Sequence, residues 1–287
     1  MKRVLILGST GFIGNNLLKK LIKKNYKLRI LKHKSDLKIK SRNIEIYKGD
    51  ILNLDSLKRS LENVDIVINL VGQLMEDEKL FEKINIQGNK NLLKESIKKD
   101  VKKIILISTI NIYGSSKKPY SEEDKIKPET KYAKVKSEVE NIYKNFSRKN
   151  NLNVVILRLS NVYGSEDKGI VNLLIDSTKK KNKVEINKNA SRDFIYIDDA
   201  TNAIIKTIEF EKEGIEIFNV CTSKKTNLLD LAKLIENISK KEIKKTIKDK
   251  NKEDSIFANN KKIRNALNFT PKTDLSEGLK KIFQDIK

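Results

Sequence analysis

The sequence has few of the residues that build disulfides, zinc sites and histidine-dependent catalytic sites. Its 287 residues include one cysteine, Cys221, one histidine, His33, three prolines and no tryptophan. A single cysteine excludes a disulfide framework and agrees with a reducing, cytoplasmic compartment. With one histidine and no cysteine cluster, we expect no metal site and no Ser-His or Cys-His nucleophile.

Long apolar runs are missing as well. None approaches the length needed to cross a bilayer, so we expect no membrane partner. The first predicted strand starts within two residues of Met1, which leaves no room for a signal peptide. The formal net charge of +23 is large, and a clustered basic face would indicate nucleic acid or anionic lipid. Because the lysines are spread over almost every predicted helix, we expect solvated helix faces and no nucleic-acid site.

A glycine-rich stretch near the start of the chain organises the rest. Four apolar residues, Val4 to Leu7, predict a strand buried on both faces, and residues 12–24 predict an amphipathic helix. Between them, Gly8 permits a tight turn, Gly11 lets the backbone approach a phosphate, and Gly14 lets the helix pack on the strand. The amides at the helix start would face a pyrophosphate. Three glycines alone are weak evidence, and the alternative is a packing turn in an ordinary α/β protein.

Strands and helices alternate through the first half of the chain. Further strands are predicted at residues 28–31, 44–47, 65–71, 103–108 and 154–159, and helices at 54–61, 80–99 and 132–148. The alternation predicts an α/β fold with a doubly wound parallel sheet of the Rossmann type. In such sheets the ligand lies beyond the carboxyl ends of the strands. Several residues follow predicted strands: Gly8, Lys32, Asp50, Gly72 and Thr109.

Helices dominate the second half. They are predicted at residues 170–180, 198–210, 228–239 and 275–283, with strands at 194–197 and 215–220 and a solvated connection at 240–252. We therefore expect a dinucleotide-binding domain at residues 1–164 and a smaller, mostly helical substrate domain at 165–287. The strand at 215–220 is expected to return to the first sheet.

Tyr132 and Lys136 are four residues apart and share one face of a predicted helix. A free tyrosine has a pKa of about 10, too high for a base at neutral pH. A lysine one turn away stabilises the phenolate and lowers this pKa. Tyr132 would then exchange a proton with a sugar hydroxyl or ketone beside a nicotinamide ring, with the Thr109 hydroxyl orienting the reacting oxygen. The spacing is also common on ordinary helix surfaces, but its place after the fifth strand favours catalysis.

Over nearly the whole chain, these motifs resemble an extended short-chain dehydrogenase/reductase of the NAD-dependent epimerase/dehydratase type. The three glycines and Tyr132-x-x-x-Lys136 resemble its cofactor and catalytic motifs, and Gly49-Asp50-Ile51 resembles its adenine-contacting turn. Asn85 opens a segment similar to one whose asparagine lies near the nicotinamide ribose. The resemblance implies catalytic roles for Thr109, Tyr132 and Lys136. It implies NAD(P) contacts at Gly8, Gly11, Phe12, Ile13, Gly14, Lys32, Asp50, Ile51, Leu70, Val71, Gly72, Asn85, Tyr132 and Lys136.

Two later segments resemble those of nucleotide-sugar enzymes. Arg192-Asp193-Phe194 resembles a segment whose arginine contacts the nucleotide diphosphate, and residues 269–279 resemble the C-terminal tail. Asp254 resembles the aspartate of an Arg-x-Gly-Asp segment, whose arginine is replaced here by Asn251, which leaves the nucleotide open. The resemblance implies substrate contacts at Thr109, Asn161, Arg192 and Asp254.

Two departures from the family pattern bear on the reaction and the cofactor. Sugar-nucleotide 4,6-dehydratases carry Asp-Glu after the catalytic threonine, to move protons at C5 and C6. Here Ile110 and Asn111 stand there, and because neither can act as acid or base, we expect no dehydration. NAD-using members usually end the second strand with an acidic residue. Here Lys32, with Arg29 nearby, suits the 2′-phosphate of NADP, although Asp36 is a possible substitute acid.

The leading hypothesis is a nucleotide-sugar 4-epimerase that acts on a UDP-hexose through a 4-keto intermediate, with NAD by family habit. The alternative is an NADP-dependent 4-ketoreductase, which Lys32 favours. A non-catalytic dinucleotide-binding subunit is hinted at by residues 68–72, but retention of Thr109, Tyr132 and Lys136 argues against it. The family also implies a homodimer formed by the predicted helices at 80–99 and 132–148. Nucleic-acid binding comes last.

Overall fold

The computed structural model describes residues 1–39, 41–72, 77–180, 183–250 and 252–286, so Asn251 lies outside the described residues. The chain forms two compact units. The first consists of Met1–Ile112, Pro128–Arg158 and Thr201–Phe218, and the second of Tyr113–Lys127, Leu159–Ala200 and Asn219–Lys287. The two units therefore interleave along the sequence.

Strands and helices are numbered in chain order. The strands are β1 Arg3–Leu7, β2 Lys27–Lys32, β3 Ile44–Lys48, β4 Ile66–Asn69, β5 Lys103–Thr109, β6 Asn153–Leu159, β7 Asn161–Tyr163, β8 Val184–Asn187, β9 Ala190–Arg192, β10 Phe194–Tyr196, β11 Ile215–Val220, β12 Thr226–Asn227, β13 Lys245–Lys248 and β14 Asp254–Ile256. The α-helices are α1 Phe12–Leu21, α2 Leu54–Ser60, α3 Glu78–Glu82, α4 Asn89–Lys98, α5 Lys131–Asn150, α6 Ile170–Lys180, α7 Ile197–Ile208, α8 Leu228–Ser239, α9 Lys261–Leu267 and α10 Leu275–Asp285. A π-helix spans Lys83–Gly88 and a 3-10 helix spans Ile110–Tyr113.

A seven-stranded sheet is the centre of the first unit. Its strand order is β11-β6-β5-β4-β1-β2-β3. Strand β1 pairs in parallel with β2 and β4, β2 with β3, and β4 with β5. Parallel pairing requires crossover connections, which the alternating helices supply. The predicted α/β fold with a doubly wound parallel sheet is confirmed.

Helices flank this sheet, which explains why its central strands β1, β4, β5 and β6 are nearly continuous apolar runs. On one face, Leu5 and Leu7 join a buried cluster with Leu92 of α4 and Val139 of α5. The alternate residues of β1 are equally buried but lie outside that cluster. Helices α1 and α7 also bury apolar side chains and are joined by a hydrogen bond from Lys20 Nζ to Asn202 Oδ1 of 3.0 Å.

The second unit contains α6, α8, α9 and α10 and three small sheets. The sheets have the orders β10-β7, β12-β9-β14 and β13-β8. The predicted solvated connection at 240–252 is wrong in part, because β13 pairs in parallel with β8. Strands of two to four residues are held by backbone hydrogen bonds, and their side-chain pattern is too short to be read from the sequence. Within the part of the chain that the structure describes, no helix has both the length and the apolarity to cross a bilayer.

The contact between α1 and the turn before it is close enough to require glycine. A Cβ atom on Gly14 would lie 2.2 Å from Gly8 O and 2.7 Å from Ser9 Cα. Both neighbours are backbone atoms, so a side chain at this position would force helix and turn apart. Gly14 therefore sets how closely α1 packs on the sheet.

We expect Gly14→Ala to lower the free energy of unfolding by about 1–3 kcal/mol, the usual cost of an overpacked site. Urea unfolding of the protein without added ligands measures this. Gly72→Ala is the control, because a Cβ there would be 3.8 Å from its nearest neighbour. Equal stability of the two variants would contradict the assigned role of Gly14.

Candidate active site

The turn after β1 and the loop after β4 meet at the carboxyl end of the sheet. Gly8 has a φ of +77°, which favours glycine. A Cβ on Gly8 would lie 2.9 Å from the carbonyl carbon of Leu70 and 3.1 Å from the amide nitrogen of Val71. Three predicted cofactor contacts therefore lie side by side.

The start of α1 is suited to a pyrophosphate. Its first turn holds no acidic residue, and its last turn carries Lys19 and Lys20. The first N–H groups of a helix have no acceptor within it, and the helix dipole makes this end attractive to anions. Gly11 is exposed, and Phe12 and Ile13 are half-buried, so a ligand can approach these amides.

The ends of β2 and β3 also lie together. Gly49 N donates to Lys32 O at 2.9 Å, and the Asp50 carboxylate accepts from Leu52 N at 2.9 Å. Ile51 packs under the π-helix, since a Cβ on Gly88 would be 2.7 Å from Ile51 Cγ2. The predicted adenine-side residues Asp50 and Ile51 are thus held by a hydrogen bond from a backbone N–H and by packing on the π-helix.

The basic side chains at the end of β2 have other partners than the sequence predicts. Lys32 pairs with Asp36, whose pKa is lowered by this hydrogen bond. Arg29 was expected near a 2′-phosphate, and this is wrong. Its buried guanidinium bonds to Glu45 Oε2 at 2.6 Å and to two backbone carbonyls, one of them Ser60 O at 2.9 Å. It also stacks on Tyr47, with 4.6 Å to the ring centroid.

Gly72, Asn85 and Lys136 converge. A Cβ on Gly72 would lie 3.8 Å from Asn85 Oδ1 and 4.0 Å from Lys136 Nζ. Asn85 Oδ1 is buried and has no hydrogen-bond partner among the described residues. A buried polar atom without a partner is costly, and a donor from a bound ligand would satisfy it. This atom and the glycine turn are the observations that fit a dinucleotide.

Tyr132 lies near the start of α5, half-buried against Phe81 with 6.4 Å between ring centroids. Lys136 Nζ, one turn later, donates to Ile107 O at 2.8 Å. Burial lowers the pKa of Lys136 to about 8, an effect that the Glu140 charge opposes. Burial raises the pKa of Tyr132, which is opposite in direction to the lowering that the sequence predicts from Lys136.

Thr109 ends β5 and is buried. Its Oγ1 accepts a hydrogen bond from Asn111 N at 3.2 Å. Because the hydroxyl is an acceptor in this contact, its own proton remains able to donate to another oxygen. This is the role that the sequence predicts for Thr109.

Sequence reasoning missed a buried group beside these residues. Glu140 is fully buried and accepts from Ser108 Oγ at 2.6 Å and from Arg158 Nη2 at 2.7 Å. It follows Lys136 by four residues, so it lies on the same helix face. The four-residue spacing of Tyr132, Lys136 and Glu140 is the sequence signal that could have identified Glu140.

The predicted substrate residues of the second unit are connected to one another. Arg192 Nη2 lies 2.8 Å from Asp254 Oδ1, and Arg192 Nη1 donates to Asp254 O at 2.5 Å. Parallel pairing of β14 with β9 produces this contact. Asn161 N donates to Asp193 O at 3.0 Å, which places Asn161 beside the same segment. Among the described residues, no group of three or more His, Cys, Asp or Glu is arranged to hold a metal ion.

The fold and the motifs can be compared with known proteins. The UDP-glucose 4-epimerase of Thermotoga maritima, solved with UDP-glucose, is 28% identical, with a TM-score of 0.89 over 99% of both chains. The UDP-glucuronic acid 4-epimerase of Bacillus cereus, solved with UDP-glucuronic acid and NAD, is 25% identical, with a TM-score of 0.89 over 98% of this chain and 99% of its own. The dTDP-D-glucose 4,6-dehydratase of Bos taurus is 27% identical over 99% of this chain and 88% of its own.

The family model covers most of the chain. Residues 4–221 match the description "NAD dependent epimerase/dehydratase family". This stretch includes the glycine turn, Thr109, Tyr132, Lys136 and Arg192. The resemblance inferred from the motifs is confirmed, and the chain belongs to the NAD dependent epimerase/dehydratase family.

Proposed function

We propose that the protein is a nucleotide-sugar 4-epimerase that acts on a UDP-hexose and keeps NAD bound. The observation that carries the proposal is the convergence of Gly72, Asn85 and Lys136, one helical turn from Tyr132. The solved relatives with UDP-glucose and with UDP-glucuronic acid and NAD support the substrate class and the cofactor.

Each residue has a separate task in this proposal. Tyr132 would act as a phenolate to take the proton of the sugar 4-hydroxyl, and the phenol so formed would later return it. Lys136 would stabilise the charge of the Tyr132 phenolate, and Thr109 would donate to the reacting oxygen. When bound, NAD would supply the hydride acceptor and donor. The glycine turn and Asn85 hold the cofactor.

Arg192 would bind the diphosphate of the substrate. A guanidinium has five N–H donors in a fixed geometry that matches phosphate oxygens. The contacts to Asp254 and to Ser191 O use part of this set. Asp254 therefore orients Arg192 while donors remain for a phosphate. A homodimer, a cytoplasmic location and the absence of nucleic-acid binding remain predictions of the sequence.

A 4-ketoreductase that releases NADP is the second candidate, because Lys32 ends β2 where NAD-using relatives usually have an acid. Pairing of Lys32 with Asp36 reduces the weight of this argument, since the carboxylate neutralises the lysine. The two candidates differ in whether cofactor is consumed.

The proposed reaction is tested by incubating the protein with UDP-glucose, UDP-galactose or UDP-glucuronic acid and following the C4 epimers by NMR. We expect interconversion with no net consumption of nicotinamide cofactor. Absence of any epimer, together with NADPH-dependent reduction of a 4-keto nucleotide sugar, would favour the reductase and overturn the proposal.

Tyr132→Phe is expected to lower kcat on the order of 10²–10⁴-fold, the usual contribution of a general acid–base group. NAD affinity should stay close to that of the wild type, because the phenol adds little ground-state binding. Tyr26→Phe is the control, since Tyr26 lies directly before β2, at the end of the strand opposite Lys32, and its hydroxyl bonds to Glu209 at 2.7 Å. Unchanged turnover of Tyr132→Phe would remove Tyr132 from the mechanism.

The pairing of Lys32 with Asp36 generates a prediction about cofactor choice. Wild-type protein should prefer NAD, and Asp36→Ala should free Lys32 to meet a 2′-phosphate. We expect the preference to move toward NADP by about tenfold, equivalent to about 1.4 kcal/mol. Calorimetric titration with both cofactors measures the ratio. Asp55→Ala removes another exposed carboxylate paired with a lysine, Lys58, and should leave the ratio unchanged; the same ratio in Asp36→Ala would refute the role of the pair.

A further inference from the structure

Three polar side chains form a buried cluster inside the first unit. Asn69 at the end of β4, Asn89 at the start of α4 and Tyr143 within α5 are at most 1% exposed. Asn69 Nδ2 donates to Asn89 Oδ1 at 2.7 Å and to the Tyr143 hydroxyl at 2.9 Å, and this hydroxyl donates to Asn89 Oδ1 at 2.7 Å. We name these residues the amide–phenol cluster. Buried polar groups are retained at low cost when they are hydrogen-bonded, and every side-chain nitrogen and oxygen of these three residues has a partner.

The remaining groups of the cluster bind backbone atoms outside it. Asn69 Oδ1 accepts from Val71 N at 3.0 Å, which holds the loop after β4. Asn89 Nδ2 donates to Asn85 O at 2.6 Å. In a regular α-helix the backbone N–H of Asn89 would donate to Asn85 O. Here it donates to Ile86 O, and the side-chain amide of Asn89 donates to Asn85 O in its place. The cluster thus stabilises the π-helix at Asn85, whose side-chain Oδ1 has no hydrogen-bond partner among the described residues.

The loop after β4 and the π-helix, which the cluster holds, both lie close to Lys136. Gly72 directly follows Val71, and a Cβ on Gly72 would be 3.8 Å from Asn85 Oδ1 and 4.0 Å from Lys136 Nζ. Tyr143 belongs to α5, the helix that also carries Tyr132 and Lys136. The amide–phenol cluster therefore connects the loop after β4, the π-helix and helix α5 through side-chain hydrogen bonds.

We propose that Asn69, Asn89 and Tyr143 are positioning residues for the cofactor, which hold Gly72 and Asn85 in the geometry that receives NAD. This inference rests on the proposed function, because it requires NAD to bind at the glycine turn. The cluster acts through Asn85 and the loop backbone and does not itself contact the ligand. The two bonds that leave the cluster go to the loop that carries Gly72 and to the π-helix residue Asn85.

The test separates cofactor binding from stability. Tyr143→Phe removes one hydroxyl and keeps the ring, and Asn89→Ala removes the donor to Asn85 O. Ser147→Ala is the matched control: it lies one turn later on α5, is 2% exposed, and loses one buried hydrogen bond, to Leu152 O at 2.7 Å. For each purified protein we would measure the Kd of NAD by calorimetry and the urea unfolding midpoint without NAD.

We expect Tyr143→Phe and Asn89→Ala to raise the Kd of NAD about tenfold or more, the scale of one lost buried hydrogen bond. Ser147→Ala should lower the unfolding midpoint similarly and leave the Kd of NAD unchanged. A wild-type Kd in folded Tyr143→Phe would overturn the inference even if Asn89→Ala fails to fold. Failure of the wild-type protein to bind NAD would instead overturn the proposed function and this inference with it.

Discussion

The ion pair between Glu140 and Arg158 fixes helix α5 on the sheet. Both side chains are at most 2% exposed, and Ser108 donates to the same carboxylate at 2.6 Å. Removing one partner of such a pair costs about 3–5 kcal/mol, because the other charge is left buried and unpaired. Helix α5 therefore cannot slide along β5 and β6. Its position in turn lets Lys136 reach Ile107 O and keeps the Glu140 charge close enough to oppose the effect of burial on the Lys136 pKa.

Much of the fold could be predicted because its signals are local. Each central strand is a short apolar run, and parallel strands buried on both faces need nothing else. The glycine turn was predictable in part for the same reason, since the left-handed φ of Gly8 and the contact of Gly14 with Gly8 and Ser9 are local in the chain. The contact of Gly8 with Leu70 is between distant residues and was not predictable in this way. Arg192 and Asp254 were identified from their match to family segments, and the structure places Arg192 Nη2 2.8 Å from Asp254 Oδ1.

What the sequence did not reveal depends on contacts between distant residues. The predicted helix at 80–99 is divided by a π-helix, because the Asn89 side chain, tied to Asn69 and Tyr143, replaces a backbone hydrogen bond. The charge of Arg29 suggested a phosphate contact, but the strand directs this side chain toward Glu45. The sequence of a segment gives the number of its charged residues, but the direction of each charged side chain depends on how the chain packs.

The local chemistry around Thr109 limits the reactions open to this site. Ile110 is buried and apolar, and the amide of Asn111 has no transferable proton at neutral pH, so these two positions offer no acid or base for proton transfer. Epimerisation and reduction at C4 share the remaining groups and differ in whether the cofactor leaves. Contacts that are rigid before binding reduce the entropy lost when a ligand is held. Buried hydrogen bonds that hold the Gly72 loop and Asn85 before binding therefore agree with the proposal that this protein keeps its cofactor through each turnover.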